Sequence, residues 1–520
     1  MRAVDHEPSD DRPAELPVAW RLLLVLALAK LVIHALSGWL LAWGYMTDEL
    51  YFLDSVDRLD WGYVDHPPLS IAVLAGIRAV LGDSLPAIRL LPALLGAATV
   101  VMTGLLAREL GGGRTAQGLA ALAAVACPVY LAMNNYYSMN PIEEAVWPLA
   151  MLLVLRIIDG AGPRWWIGLG VVLGLGMLNK VSTIGFGIGL LVGLLLTPER
   201  RWLRTPWPWV AGAVALALFS PYVWWNAAHD WPFLEFNRNA AQQKVGAVSL
   251  ADFAGQQVLS LGPTLLPLWV GGLVFALASP SLRRARPLVW LFATVAAMLA
   301  MSGSARPHYL APAFPIVFAL GGCLAERLAM RRRLAWVPAL TAMLLVLGLA
   351  AWPLAIPLLS PAATVRYQDA LGIRPREELE RGGLLPMHLG LYLHAEALLA
   401  PLGAVYASLP PDEQRRVEIL TGSFGETGAV NVLGRKRGLP PSIGRQNTYW
   451  LWGPGGATGE LMLVVDGNET ELHDWFTSCE KRAAIDCPYC MEQMGAQAVY
   501  VCRHARRPLS ELWPDLKVYR

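Results

Sequence analysis

The sequence predicts an all-α polytopic membrane bundle followed by a small α/β soluble domain, and three observations carry that prediction. Of 520 residues, 55% are hydrophobic and only 16% charged, against roughly 25% charged in soluble domains. Apolar runs recur that are long enough to cross a hydrocarbon core about 30 Å thick. Beyond residue 360 those runs stop, and short apolar strands alternate with helical stretches. This composition excludes a soluble enzyme, a disordered chain and a fibre. A formal net charge of +2 leaves no footprint for nucleic acid.

The apolar runs place about eleven spans, near 20–43, 87–107, 115–133, 143–160, 164–179, 182–197, 208–225, 261–279, 287–302, 309–325 and 334–357. Alternate links carry Arg108 and Arg114; Arg164; Arg200, Arg201 and Arg204; Arg283, Arg284 and Arg286; and Arg327 with Arg331, Arg332 and Arg333. Arginine-rich links stay in the cytoplasm. Residues 1–19 are then a cytoplasmic tail, acidic and without the basic n-region of a cleaved signal peptide. Residues 20–360 form the transmembrane unit. An odd span count puts the loops 44–86, 134–142, 226–260 and 303–308, and all of 361–520, on the outer side.

Segment 67–82 is apolar for only about 14 residues, too few to span. Begun by Pro67-Pro68 and holding Arg78, it reads as a helix lying on the outer membrane surface. In the tail, the strands VEILTGS, ELMLVVDG and AVYVCR alternate with helices near 425–433 and 470–479. Cys479, Cys487, Cys490 and Cys502 lie there, whereas Cys127 and Cys323 fall in spans. An outward-facing domain favours disulfides, and a zinc site using the C-x-x-C pair is the alternative.

Charged residues gather at the outer loop starts. Asp48-Glu49 follow the first span directly. Adjacent carboxylates at a membrane boundary raise one another's pKa, which suits a general base; the plainer alternative is a solvated loop start that stops the span sliding inward. Asp65-His66 precede Pro67-Pro68 as either a polar helix entry or a weak pair of metal ligands. Lys180, one of six lysines among 42 basic residues, falls at the outer turn between spans five and six. It either snorkels or holds a phosphate at membrane depth. Arg306-Pro307-His308-Tyr309 open span ten with the same two options. Asn140 and Glu143 enter span four, where an acid is costly unless paired. His229, Asp230, Trp231, Glu235 and Phe236 mix aromatics with acids, as interface anchors do.

Acids beside cations on one membrane face suit transfer of a group from a phosphate to a nucleophile. The cations stabilise the leaving phosphate and a carboxylate takes the proton. No phosphate-binding GxxxxGK[ST] loop and no dinucleotide fingerprint is present, so a donor dissolved in the membrane fits better than a soluble nucleotide. A transporter or flippase of a lipid-linked or sugar substrate is the alternative; it favours midplane sites and related halves, and the sequence offers neither.

In their order these residues resemble glycosyltransferase family 39, the dolichyl-phosphate-mannose-type protein mannosyltransferases, together with their bacterial relative the lipid A aminoarabinose transferase. Asp48-Glu49 is similar to the family's Asp-Glu motif. Asp65-His66-Pro67-Pro68-Leu69 resembles its acid-Lys-Pro-Pro-Leu element, followed by Arg89. Leu178-Asn179-Lys180 resembles its Leu-Thr-Lys turn, and RPHYLAPAFP from Arg306 its Tyr-x-x-Pro-x-x-Pro stretch. The likeness covers about residues 20–325. It implies a GT-C fold with surface helices in the first outer loop, a polyprenyl-phosphate-linked sugar donor of hexose or pentose type, and inversion at the anomeric carbon. The acceptor is left open among lipid, glycan and protein. Asp48, with Glu49 beside it, is implied as base or acceptor-orienting acid. Lys180, Arg306 and Tyr309 are implied as phosphate holders, supported by Arg89 and His66, with Asp65, Asn140, Glu143 and His308 nearby. His66 stands where the aminoarabinose transferase has lysine, and Asn140 where many relatives have aspartate, which leaves Glu143 to supply that acid. Lys and Arg alone can stabilise a lipid phosphate, so no divalent ion is required, and a divalent metal is left open as the alternative. The resemblance implies a multi-pass protein of the bacterial inner membrane, with residues 361–520 periplasmic.

Overall fold

The computed structural model describes residues 16–242, 248–303, 305–373, 383–466, 469–491 and 497–520. Most of the expected cytoplasmic tail, residues 1–15, lies outside them.

Each expected span is helical. After α1 (Trp20–Ala35) the loop to the next span carries α2 (Thr47–Ser55) and α3 (Leu69–Leu81), and α4 (Leu85–Glu109) returns. There follow α5 (Arg114–Ala126), α6 (Pro128–Met133), α7 (Met139–Ile158), α8 (Arg164–Asn179), α9 (Ile184–Leu195) and α10 (Trp207–Ala228). The next loop holds α11 (Pro232–Ala240) and α12 (Leu250–Leu261). The bundle ends with α13 (Leu266–Ala278), α14 (Arg286–Ser302), α15 (Phe314–Ala329) and α16 (Val337–Leu347). The α3 helix, 13 residues long, reaches only about 20 Å.

Length and apolarity qualify fewer than eleven helices as spans. Among the described residues seven helical runs are long and apolar enough to cross a membrane, or up to nine if each of two bent pairs is one span. Six of the seven, and both bent pairs, fall on expected spans. The α8 helix has 16 residues, and α7 carries Glu143, Glu144 and Arg156, so neither meets the criterion. One bend, 93°, falls at Gly262 (φ 95°) and separates α12 from α13, so the eighth expected span is preceded by a helix lying across it. The seventh apolar run, Met387–Ser408, was expected in the outer domain, and its Leu398, Leu399, Leu402 and Val405 pack on the sheet there.

Small residues let the helices meet closely. A Cβ on Gly170 of α8 would stand 2.5 Å from the Ala211 carbonyl oxygen of α10, the close approach that drives helix association in lipid. At the arginine-rich end, Glu326 of α15 accepts the backbone N–H groups of Gly113, Thr115 and Ala116, which satisfies free donors at the start of α5. Arg284 pairs with Asp159 at 2.9 Å.

The C-terminal sheet has the order β2-β1-β3-β5-β4. β1 (Glu418–Thr421) runs parallel to β2 (Ser442–Gly444) and β3 (Leu461–Asp466); β4 (Phe476–Ala484) and β5 (Ala498–Ala505) are antiparallel. Leu461, Leu463 and Val465 face one layer, Met462 and Val464 the other, because successive strand side chains alternate. Both layers are covered, which explains the unbroken apolar run of β3. The helix expected near 470–479 ends at Trp475, and residues 476–484 are strand. Cys479 and Cys502 are bonded across β4 and β5, and Cys487 is bonded to Cys490. Disulfides therefore replace the zinc alternative, and among the described residues no group of three or more His, Cys, Asp or Glu is placed to hold a metal ion. Leu385, Leu389 and Tyr392 still pack in the bundle core, whereas Ala395, Leu398 and Leu399 pack with the sheet.

Candidate active site

The site is built first at the start of α2. Glu49, three residues inside that helix, turns back so that its carboxylate accepts the Met46 backbone N–H at 2.9 Å, a capping arrangement. The same carboxylate takes two bonds from Arg89 of α4, at 2.8 and 2.6 Å, and the Tyr137 backbone N–H at 2.9 Å. Arg89 spends its other donors on the carbonyls of Gly38 and Gly44. Both charges are buried, and the carboxylate accepts four hydrogen bonds. Glu49 and Arg89 thus form a clamp that fixes the first turn of α2. Neither borders the cavity; Asp48, next in sequence, does.

The second part is the junction of α7 and α8. Ser138 caps α7 by accepting the Asn140 N–H at 3.2 Å, which orients the first turn. Lys180, where α8 gives way to extended backbone, donates to Asn140 Oδ1 at 2.9 Å and Glu143 Oε2 at 2.7 Å. Its ammonium lies 5.3 Å from the centre of the Tyr309 ring, within cation–π range. The Ser182 hydroxyl donates to the other oxygen of Glu143. Glu143 is buried behind Lys180, which explains how an acid is tolerated at that depth.

These parts share one cavity of about 1300 Å³. It is bordered by Asp48, Asp65, Asn140, Lys180, Arg306, His308 and Tyr309, so seven of the eleven candidate residues meet there. Its apolar wall includes Ile184, Ile188, Leu259, Val295 and Met298. Glu143 stands behind Lys180, and Glu49 and Arg89 form the clamp. His66 was expected beside the phosphate holders, but it is fully buried, stacked on Phe52 at 4.7 Å and next to Tyr63 at 4.8 Å. An imidazole flanked by aromatic rings has a packing partner on each face and is held away from the cavity.

The sequence reading missed the roof. Ser423, Phe424, Arg445, Gln446 and Gln497 of the C-terminal region border the cavity from above. The short helix Phe424–Ala429 lies directly on α2. A Cβ on Gly428 would fall 2.8 Å from the Leu50 backbone, and one on Gly425 would fall 3.0 Å from Thr47. Leu50 itself packs in the core beneath the sheet. Tyr51 was also missed; it bonds both Asp65 and Thr448. A loop serine or glutamine carries no local signal of a cavity some 400 residues away in the chain.

A membrane helix bundle with helices in the loop after its first span, an acid where that span ends and a cavity roofed by the C-terminal region is the arrangement that a GT-C fold implies. Comparison with known proteins agrees. The profile of the family described as dolichyl-phosphate-mannose-protein mannosyltransferase matches residues 65–225. Lipid A galacturonosyltransferase RgtD of Rhizobium johnstonii is 24% identical over 273 residues, 51% of this chain and 56% of its own length. The undecaprenyl phosphate-alpha-4-amino-4-deoxy-L-arabinose arabinosyl transferase of Pseudomonas aeruginosa is 28% identical over 295 residues, 51% of each chain. The chain spans about half the length of the curated relatives it matches. The crystal structure of ArnT from Cupriavidus metallidurans bound to undecaprenyl phosphate superposes with a TM-score of 0.58 at 15% identity, covering 93% of this chain and 98% of that one. The chain therefore has a GT-C fold similar to that of the family 39 glycosyltransferases, as its motifs implied.

Proposed function

We propose that this protein is an inverting membrane glycosyltransferase that moves a sugar from a polyprenyl-phosphate donor to an acceptor on the outer face of the bacterial inner membrane. The observation that carries this reading is one cavity bordered by Asp48, Lys180 and Arg306 together with an apolar wall that includes Ile184, Val295 and Met298. The acceptor hydroxyl oxygen attacks the anomeric carbon from the side opposite the phosphate. As the C–O bond to phosphate breaks, its electron pair moves to the phosphate oxygen, and the acceptor proton passes to Asp48. Lys180 and Arg306 stabilise the charge that develops on the phosphate. The apolar wall suits the prenyl chain, which needs no polar partner. Tyr309 orients Lys180 through its ring face, and Glu143 with Asn140 fixes the ammonium from behind.

The relatives' names point to undecaprenyl-phosphate sugars as donors and lipid as acceptor class, and they include both a hexose derivative, galacturonic acid, and a pentose derivative, aminoarabinose. Purified protein in liposomes, given a panel of labelled undecaprenyl-phosphate sugars and envelope lipid, tests the reading. Asp48→Asn lowers transfer by at least about 100-fold while the protein still elutes as a single species. Lys180→Ala raises the apparent KM for donor. Wild-type turnover in Asp48→Asn removes the base assignment.

A further inference from the structure

Three hydrogen bonds run from the first loop through the C-terminal region and end on Asp65. The Val64 backbone N–H donates to Thr448 Oγ1 at 3.1 Å. The hydroxyl oxygens of Thr448 and Tyr51 lie 2.7 Å apart, and the Tyr51 hydroxyl reaches Asp65 Oδ1 at 2.8 Å. The Thr448 oxygen, with two lone pairs, accepts both the Val64 N–H and the Tyr51 hydroxyl. The Tyr51 hydroxyl is thereby held between Thr448 and the Asp65 carboxylate, to both of which it is a donor. The second carboxylate oxygen of Asp65 faces Asn447 Nδ2 at 3.5 Å.

Nothing in this chain is free to turn. Tyr51, Val64, Asn447 and Thr448 are buried. The Tyr51 ring is wedged between Phe424 at 5.1 Å and Tyr449 at 5.4 Å, both contributed by the C-terminal region. Burial and the Asp65 charge hold the Tyr51 phenol well above its ordinary pKa, so it remains a donor. Of the hydrogen-bonded residues Val64, Thr448, Tyr51, Asn447 and Asp65, Asp65 borders the cavity and the others do not, and it shares that cavity with Asp48. The C-terminal region thus presents a carboxylate that belongs to the first loop.

We propose that Thr448 and Asn447 are positioning residues. Thr448 works through Tyr51, and together they aim Asp65 so that its carboxylate accepts hydroxyl groups of the sugar while the bond to phosphate breaks. This rests on the glycosyl-transfer reading above, and it gives the C-terminal region a part in turnover in addition to roofing the cavity. An acceptor-only group at the wall selects hydroxyl-bearing substrate, and a fixed orientation matters most where the sugar changes shape.

The test uses the full chain in liposomes with whichever undecaprenyl-phosphate sugar the wild type transfers. Thr448→Val keeps shape and loses the hydroxyl; kcat is expected to fall about tenfold with donor KM within about twofold. Thr448→Ser restores the hydroxyl and recovers most of kcat. Tyr51→Phe lowers kcat similarly, and adding it to Asp65→Asn costs nothing further, because both act through one group. Wild-type kcat in Thr448→Val, or losses that multiply in the Tyr51→Phe/Asp65→Asn pair, overturns the inference while leaving the transferase reading intact. Should Thr448→Val not fold, the paired variants decide alone. Absence of transfer by the wild type with every sugar in the panel overturns the transferase reading, and this inference with it.

Discussion

Glu49 has four donors around a carboxylate with no exposed surface, while its neighbour Asp48 borders the cavity. The two were legible in the sequence as a pair; their division of labour was not, because it depends on Arg89 arriving from another helix. Breaking a buried pair by removing one partner leaves the other charge unmatched and costs about 3–5 kcal/mol. Arg89→Met is therefore expected to lower the thermal midpoint of the solubilised protein sharply. Asp48→Asn is expected to shift it little, about 0.5 kcal/mol or less, while abolishing turnover. Equal midpoints for the two variants would return Arg89 to the phosphate-holding role that its motif position suggested. His66 was misplaced for a similar reason: Phe52 and Tyr63 are close in sequence, but nothing local says that they close around an imidazole.

Between elements, the contact that matters most joins α2 to the helix Phe424–Ala429. Gly425 and Gly428 bring their backbone against Thr47 and Leu50. Gly428→Ala forces a Cβ into that seam and is expected to cost about 1–3 kcal/mol, read as faster proteolytic release of the C-terminal region. Gly403→Ala is the control. It lies inside the helix His394–Ser408 with nothing near the added carbon, and is expected to be neutral or stabilising by up to about 1 kcal/mol. Equal protease sensitivity of the two would remove the seam's importance. The apolar strands β1, β3 and β5 were readable from their runs of Ile, Leu and Val. β2 has three residues, too few for a pattern. β4 is largely exposed and carries Glu480, Lys481 and Arg482; charges that guard a sheet edge also erase the alternation by which a strand is recognised.

For the whole molecule, helix placement was legible because lipid demands long apolar runs, whereas the number of crossings was not, since α7 and α8 depart from that rule where they build the site. The arginine pattern predicts an orientation with Asp412 outside and Arg332 inside; both are exposed. Asp412→Cys is expected to react with a membrane-impermeant maleimide in spheroplasts, and Arg332→Cys only after permeabilisation. The reverse would invert the molecule and place the cavity in the cytoplasm. That the roof comes from beyond residue 420 was not legible at all, because α/β sequence carries no record of the helix it will cover.

Leu50 is made early and buried late. Its core partner Ile419 leaves the ribosome about 370 residues afterwards, which at roughly 5–20 residues per second is a wait of some 20–70 s. During translation the bundle can insert and lipids can surround it, yet α2 has no lid and Asp65 no tyrosine–threonine relay behind it. A nascent chain that has not yet reached Ser423 therefore has an open cavity, without Ser423, Phe424, Arg445, Gln446 and Gln497 over it.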